Sequence, residues 1–190
     1  MSNLVLGREY INYPWSLMNF STAAAHSLLL PDRPASPLVL VIEDSDEDYE
    51  VLKRAFARSP ISTRLQRFPT GKQALDYLDR SVRKTAIATN IPAFILLDLN
   101  LPGIDGRKVL ARIKQDPVWK YIPTIVLTTS DYGKDIQECY QLGANSYLVK
   151  AIDLQQFKKS IHTTIEFWID IVTLPAIGDV IRAQAYKSID

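Results

Sequence analysis

Short apolar runs that alternate with helix-length amphipathic segments constrain this chain most. Leu38–Ile42 (LVLVI), 93–97 (AFILL) and 123–127 (PTIVL) are continuous and bulky, as expected of strands covered on both faces. A weaker strand is expected over 63–68 and a short one over Ser146–Val149. Helical spacing fills the gaps. Val51, Leu52, Ala55 and Phe56 form one stripe within 46–58, and Ala74, Leu75 and Leu78 another within 72–80. Val109, Leu110 and Ile113 do the same within 105–115. A fourth helix over 134–142 is stopped by Gly143, and a long fifth one begins near Asp153. Ser45 and Asp48 have the spacing of a capping box for the first helix. Strand and helix in strict alternation predict an α/β fold, a five-stranded parallel sheet doubly wound by helices on both faces.

The chain has 190 residues and is 47% hydrophobic, enough for one domain with appendages. Prolines at 14, 31, 34 and 37 punctuate a stretch with little periodicity, so residues 1–36 read as an N-terminal arm. The domain proper spans 37–160, and 161–190 form a C-terminal helical extension. A net charge of +1 supplies no basic field for nucleic acid or an anionic membrane. Cys139 is the only cysteine, so no intramolecular disulfide can form, which suits a reducing cytoplasm. No apolar run approaches the roughly 20 residues that span a bilayer. The first thirty residues lack the basic n-region and apolar h-region of an export signal.

In a parallel sheet of this kind ligands bind beyond the carboxyl ends of the strands. The first strand ends in Glu43-Asp44, the third in Asp98, the fourth in Thr128-Thr129 and the fifth in Lys150. The topology therefore gathers three carboxylates, a hydroxyl and an ammonium at one edge. Two like charges about 4 Å apart repel by roughly 4 kcal/mol at an effective dielectric of 20. A divalent cation offsets that cost, and oxygen-only donors favour Mg²⁺ or Mn²⁺ over zinc.

The segments VLVIEDSDED, ILLDLNLPGIDG, VLTTSD and NSYLVK occur in the order and spacing of response-regulator receiver domains, which residues 37–160 resemble closely. VLTTS and the aromatic FW…LP tail are most similar to the single-domain regulators associated with bacterial, cyanobacterial-type phytochromes. The resemblance implies a flavodoxin-like (βα)5 receiver fold with Asp98 as phosphoacceptor. It implies that Asp44 and Asp98 bind Mg²⁺ (or Mn²⁺) directly, with the Asn100 carbonyl as a third ligand and Glu43 acting through water. Lys150 would pair with the acceptor carboxylate, Thr128 would hydrogen-bond the phosphoryl group, and Tyr147 would follow Thr128 as a switch. The implied partner is a sensor histidine kinase, phytochromes among the candidates.

One departure stands out. The family places proline, in a cis peptide, after the lysine; here residue 151 is alanine. A non-proline cis bond costs about 2.5–4 kcal/mol, so a trans bond is the expectation. Two rival readings remain. A haloacid-dehalogenase-like phosphatase needs an acid two residues past its nucleophile, where this chain has Asn100. A receiver that binds partners without being phosphorylated would not need the full set of acidic, hydroxyl and lysine positions. At the C-terminus, Leu154, Phe157, Ile161, Ile165, Trp168 and Val172 are expected to face the domain. Phe167, Ile169 and Ile171 add a second apolar surface that predicts a homodimer, with the N-terminal arm as the alternative cover. Pro175 breaks this helix, one more helix is expected over 177–186, and the residues after Pro175 are too few for a DNA-binding module.

Overall fold

The computed structural model describes residues 36–84, 90–175, 177 and 180. Most of the expected N-terminal arm and all but two positions of the expected helix over 177–186 lie outside the described residues. The strands are β1 (Leu38–Ile42), β2 (Arg64–Phe68), β3 (Pro92–Leu97), β4 (Thr124–Thr128) and β5 (Ser146–Val149). The α-helices are α1 (Asp46–Ala57), α2 (Gly71–Leu78), α3 (Gly106–Gln115), α4 (Gly133–Gln141) and α5 (Leu154–Ile165).

All strands pair in parallel, in the order β2-β1-β3-β4-β5. The alternation of side chains along each central strand divides the interior into two layers. Leu40 and Ile42 of β1 and Ile95 and Leu97 of β3 pack with Ala74 and Leu78 of α2 and with Val109, Leu110 and Ile113 of α3. Val39, Val41, Phe94 and Leu96 point the other way, to Leu52, Ala55 and Phe56 of α1 and Phe157, Ile161 and Ile165 of α5. Each fully buried valine, leucine, isoleucine or phenylalanine among them contributes about 1.5–3 kcal/mol. The continuous runs seen in the sequence are therefore continuous because both faces of the strand are covered. Strand β2, at one edge, is only half-buried and carries Arg64, Gln66 and Arg67.

The C-terminal helix departs from expectation. Past Ile165 it widens into a π-type turn over Glu166–Ile171, closed by Val172 N donating to Phe167 O at 2.9 Å. The buried stripe is consequently Phe157, Ile161, Ile165 and Ile169, a spacing of four throughout. Ile169, expected on the second surface, is in the core, while Leu154 is 47% exposed. A turn with i→i+5 bonds holds more residues than the usual 3.6, which brings Ile169 into the core beside the half-buried Trp168.

Sheet order fixes where a site belongs. The chain leaves β1 towards β2 and returns on the far side of β1 as β3, so the topological switch lies between β1 and β3. Glu43 follows one of these strands and Asp98 the other, and Asp98 N donates to Ile42 O at 3.0 Å across the junction.

Candidate functional site

Each side chain reaches the site for a local reason. β1 ends where Ser45 caps α1, its Oγ accepting from Asp48 N at 3.2 Å. The turn between strand and cap holds Glu43 buried and leaves Asp44 exposed. Arg67, from β2, ties that turn down: Nε donates to Glu43 O at 2.8 Å and Nη2 to Asp44 O at 2.7 Å. Its guanidinium also bonds Asp46 and lies 4.9 Å from the centre of the Tyr49 ring. On the other side, Asp98 is buried, and its Oδ1 accepts from Asn100 N at 3.2 Å. Gly106 lets α3 approach this turn, since a Cβ there would lie 2.2 Å from Asp98 O. Gly106 N bonds Leu99 O at 2.9 Å.

Lys150 is the centre of the arrangement. Its ammonium donates to Glu43 Oε2 at 2.7 Å, to Asp48 Oδ2 at 2.7 Å and to Asp98 Oδ2 at 2.9 Å. Its side chain is 9% exposed, and Glu43 and Asp98 are 2% and 7% exposed. Burial by itself would lower the lysine pKa; the hydrogen bonds it donates to three carboxylates outweigh it and hold the ammonium above its ordinary value. Burial raises the Glu43 carboxyl despite the opposing pull of Lys150. Removing Lys150 would leave Glu43 and Asp98 buried without their counter-charge, which costs several kcal/mol in comparable buried pairs, about 3–5.

Glu43, Asp44 and Asp98 each offer a carboxylate oxygen, and these atoms lie within 4.8 Å of one another. An all-oxygen, trianionic set with one exposed member fits a hard divalent cation arriving from solvent.

Thr128 and Tyr147 meet at Ser130 rather than at the carboxylates. Thr128 is fully buried, and its Oγ1 lies 3.5 Å from Ser130 N. Tyr147 donates its hydroxyl to Ser130 O at 3.0 Å, and burial raises its pKa. The backbone links the two strands here, Lys150 N donating to Thr128 O at 2.7 Å. Beyond Ser130 a polar chain continues: Ser130 Oγ donates to Asp135, and Asp135 accepts from Arg107 at 2.7 Å. The Ser130 and Arg107 bonds hold the Asp135 carboxyl below its usual range. The Lys150–Ala151 peptide is trans, as expected for a non-proline residue.

Two participants escaped the sequence reading. Asp48 was expected to serve the helix N-terminus alone, yet its carboxylate is on Lys150. The reciprocal half of the capping box is taken by Glu43, whose Oε1 accepts from Ser45 N at 3.1 Å. A third acid at the first turn was the available signal, but the capping role explained it equally well. Arg67 gave no signal, because nothing local marks an arginine in an edge strand as a backbone clamp.

Comparison with known proteins agrees with this geometry. Residues 39–162 match the response regulator receiver domain. The response regulator Rcp1 of Synechocystis sp. is 39% identical over 139 residues, covering 73% of this chain and 93% of Rcp1. The crystal structure of the phosphorylated cyanobacterial phytochrome response regulator RcpA superposes with a TM-score of 0.67 at 38% identity, over 74% of this chain and 99% of that one. The Mn²⁺-bound form of Rcp1 gives 0.65 at 38% identity, over 73% and 99%. With a parallel sheet in this order, acids at the β1 and β3 ends and matches of this extent, the chain belongs to the response regulator receiver family of two-component signalling.

Proposed function

We propose that the chain receives a phosphoryl group on the Asp98 carboxylate from a phosphohistidine of a sensor kinase. The carrying observation is the buried Asp98 carboxylate held by Lys150 beside two further acids. An Asp98 oxygen attacks phosphorus in line as the P–N bond breaks and its electron pair stays on the imidazole. Asp44 and Asp98 would hold Mg²⁺ or Mn²⁺, with the Asn100 carbonyl as a further ligand and Glu43 assisting from beside them. When bound there, the cation would supply charge neutralisation for the phosphoryl oxygens. Lys150 remains an ammonium and moves one N–H from the carboxylate to a phosphoryl oxygen. Thr128 turns its hydroxyl to the new group, and Tyr147 leaves the Ser130 carbonyl for the space vacated, so that phosphate biases one of two packings.

The donor we infer is a phytochrome-type kinase, because RcpA, 38% identical across the aligned 74% of this chain, is a cyanobacterial phytochrome response regulator. The chain acts in the cytoplasm as a substrate and signal rather than as a catalyst with turnover. Its output is a protein contact, through a homodimer built on the exposed side of the C-terminal helix. Acetyl phosphate with Mg²⁺ tests the acceptor: the protein gains the mass of one phosphoryl group, and Asp98→Asn gains none. A wild-type chain that stays unlabelled overturns the proposal.

A further inference from the structure

Asp48 touches the same ammonium as Asp98 but stands outside the three acids that fit a cation. We propose that Asp48 is a positioning residue for phosphoryl transfer, the fixed partner that holds Lys150 while Glu43 and Asp98 exchange theirs; this rests on the reading of Asp98 as acceptor.

The argument begins with the valence of the ammonium. Lys150 has three N–H groups, and three carboxylates accept them, at 2.7, 2.7 and 2.9 Å. Two of those carboxylates have other work. Glu43 and Asp98 belong to the set whose oxygens converge within 4.8 Å, and lone pairs given to a cation are drawn away from Lys150. Asp98 also spends an oxygen on the new P–O bond, while the donor's bond to phosphorus breaks and its electron pair leaves with the leaving group. Asp48 takes part in neither exchange. Its backbone is pinned in the first turn of α1 by Ser45, and the return bond of the cap is made by Glu43, which leaves the Asp48 carboxylate to Lys150. It also faces water, with its side chain 41% exposed against 9% for Lys150, so it closes the ammonium in from the solvent side. Without that bond a flexible four-carbon stem settles onto Glu43 and Asp98, competes with the cation and points its protons away from an incoming phosphoryl oxygen.

The experiment is a double-mutant cycle of Asp48→Asn with Lys150→Met in the full chain, with urea unfolding of each variant to establish that it is folded. Asp48→Asn keeps the size of the side chain and Asp48→Glu restores the charge. Two quantities are read: the Mg²⁺ dissociation constant without any phosphodonor, by calorimetry, and the rate of acetyl phosphate labelling at saturating Mg²⁺. Asp48→Asn is expected to slow labelling about tenfold or more, with partial recovery in Asp48→Glu. Its effect on Mg²⁺ affinity is expected to depend on Lys150, the cycle failing additivity by about threefold or more. That readout stands whether or not Lys150→Met can be labelled. Wild-type labelling in Asp48→Asn, or additive effects on Mg²⁺ affinity, would reduce Asp48 to a helix-terminal acid. An unlabelled wild-type chain would instead remove the phosphoacceptor reading itself.

Discussion

At the scale of single residues, two lysines show how partners decide what burial does. Lys150 is ringed by carboxylates and is held charged; Lys114 is not. The Lys114 ammonium donates to Ile122 O at 2.8 Å, Asn145 Oδ1 at 2.8 Å and Lys120 O at 3.4 Å, all uncharged groups. Desolvation lowers its pKa from 10.5 to about 8. Below that value the lysine is protonated in folded and unfolded chains alike and contributes no slope. Between about 8 and 10.5 the unfolded chain still binds the proton that the folded chain has released, so stability gains with pH across this window. Urea unfolding of wild type and Lys114→Met from pH 7 to pH 10.5 checks this. The difference should move steadily in favour of wild type above pH 8, and a flat difference would mean the oxygens of Ile122 and Asn145 fully offset the burial. The same contrast explains what the sequence disclosed of the site. Asp98, Lys150, Glu43 and Asp44 were legible because each lies within two residues of a strand's carboxyl end, where topology alone sets the location. Asp48 was not, because its role depends on which of two bonds its side chain makes in three dimensions.

At the scale of elements, the site depends on how closely α3 approaches the end of β3. A Cβ on Gly106 would meet Asp98 O at 2.2 Å and Leu99 Cα at 2.6 Å, both backbone atoms with little room to give. Gly106→Ala should therefore displace the Asp98 turn, at a cost of about 2–4 kcal/mol in unfolding free energy, and weaken Mg²⁺ binding as well. Gly71→Ala is the comparison, because its Cβ would press on α3 through the Val109 side chain rather than on the backbone of the Asp98 turn. Loss of stability without loss of Mg²⁺ affinity in Gly106→Ala would show that the turn and the acids are not coupled. Elsewhere, strand and helix positions were readable to within a residue or two. The widened turn over Glu166–Ile171 was not, because a stripe of apolar residues every four positions fits a 3.6-residue helix nearly as well over short lengths. Only the packing of Ile169 against the sheet distinguishes the two.

At the scale of the molecule, the parallel order β2-β1-β3-β4-β5 follows from alternation and handedness, both visible in the sequence. What covers the outer side of the C-terminal helix does not follow from them. Phe167 and Ile171 are 45% and 63% exposed beyond the buried face, and Val149 and Ile152, exposed as well, flank the lysine at the opposite end of the same helix. Phe167 also stacks edge-on against Trp168, ring centres 5.1 Å apart, which holds it outward. Large apolar side chains exposed together favour self-association, and a two-fold pair buries the same face on both copies. Among the described residues no helix is long and apolar enough to cross a membrane. Sedimentation equilibrium of the full chain should therefore report a dimer that Phe167→Glu with Ile171→Glu converts to monomer. Both positions are exposed, so unfolding free energy measured at low protein concentration should change by less than about 0.5 kcal/mol. A wild-type chain that stays monomeric at the highest concentration it reaches would end the dimer proposal. Asp98 phosphorylation would then have to be read through a different surface, and the Ser130 loop, tied to Tyr147, Asp135 and through it Arg107, is where the packing change would emerge.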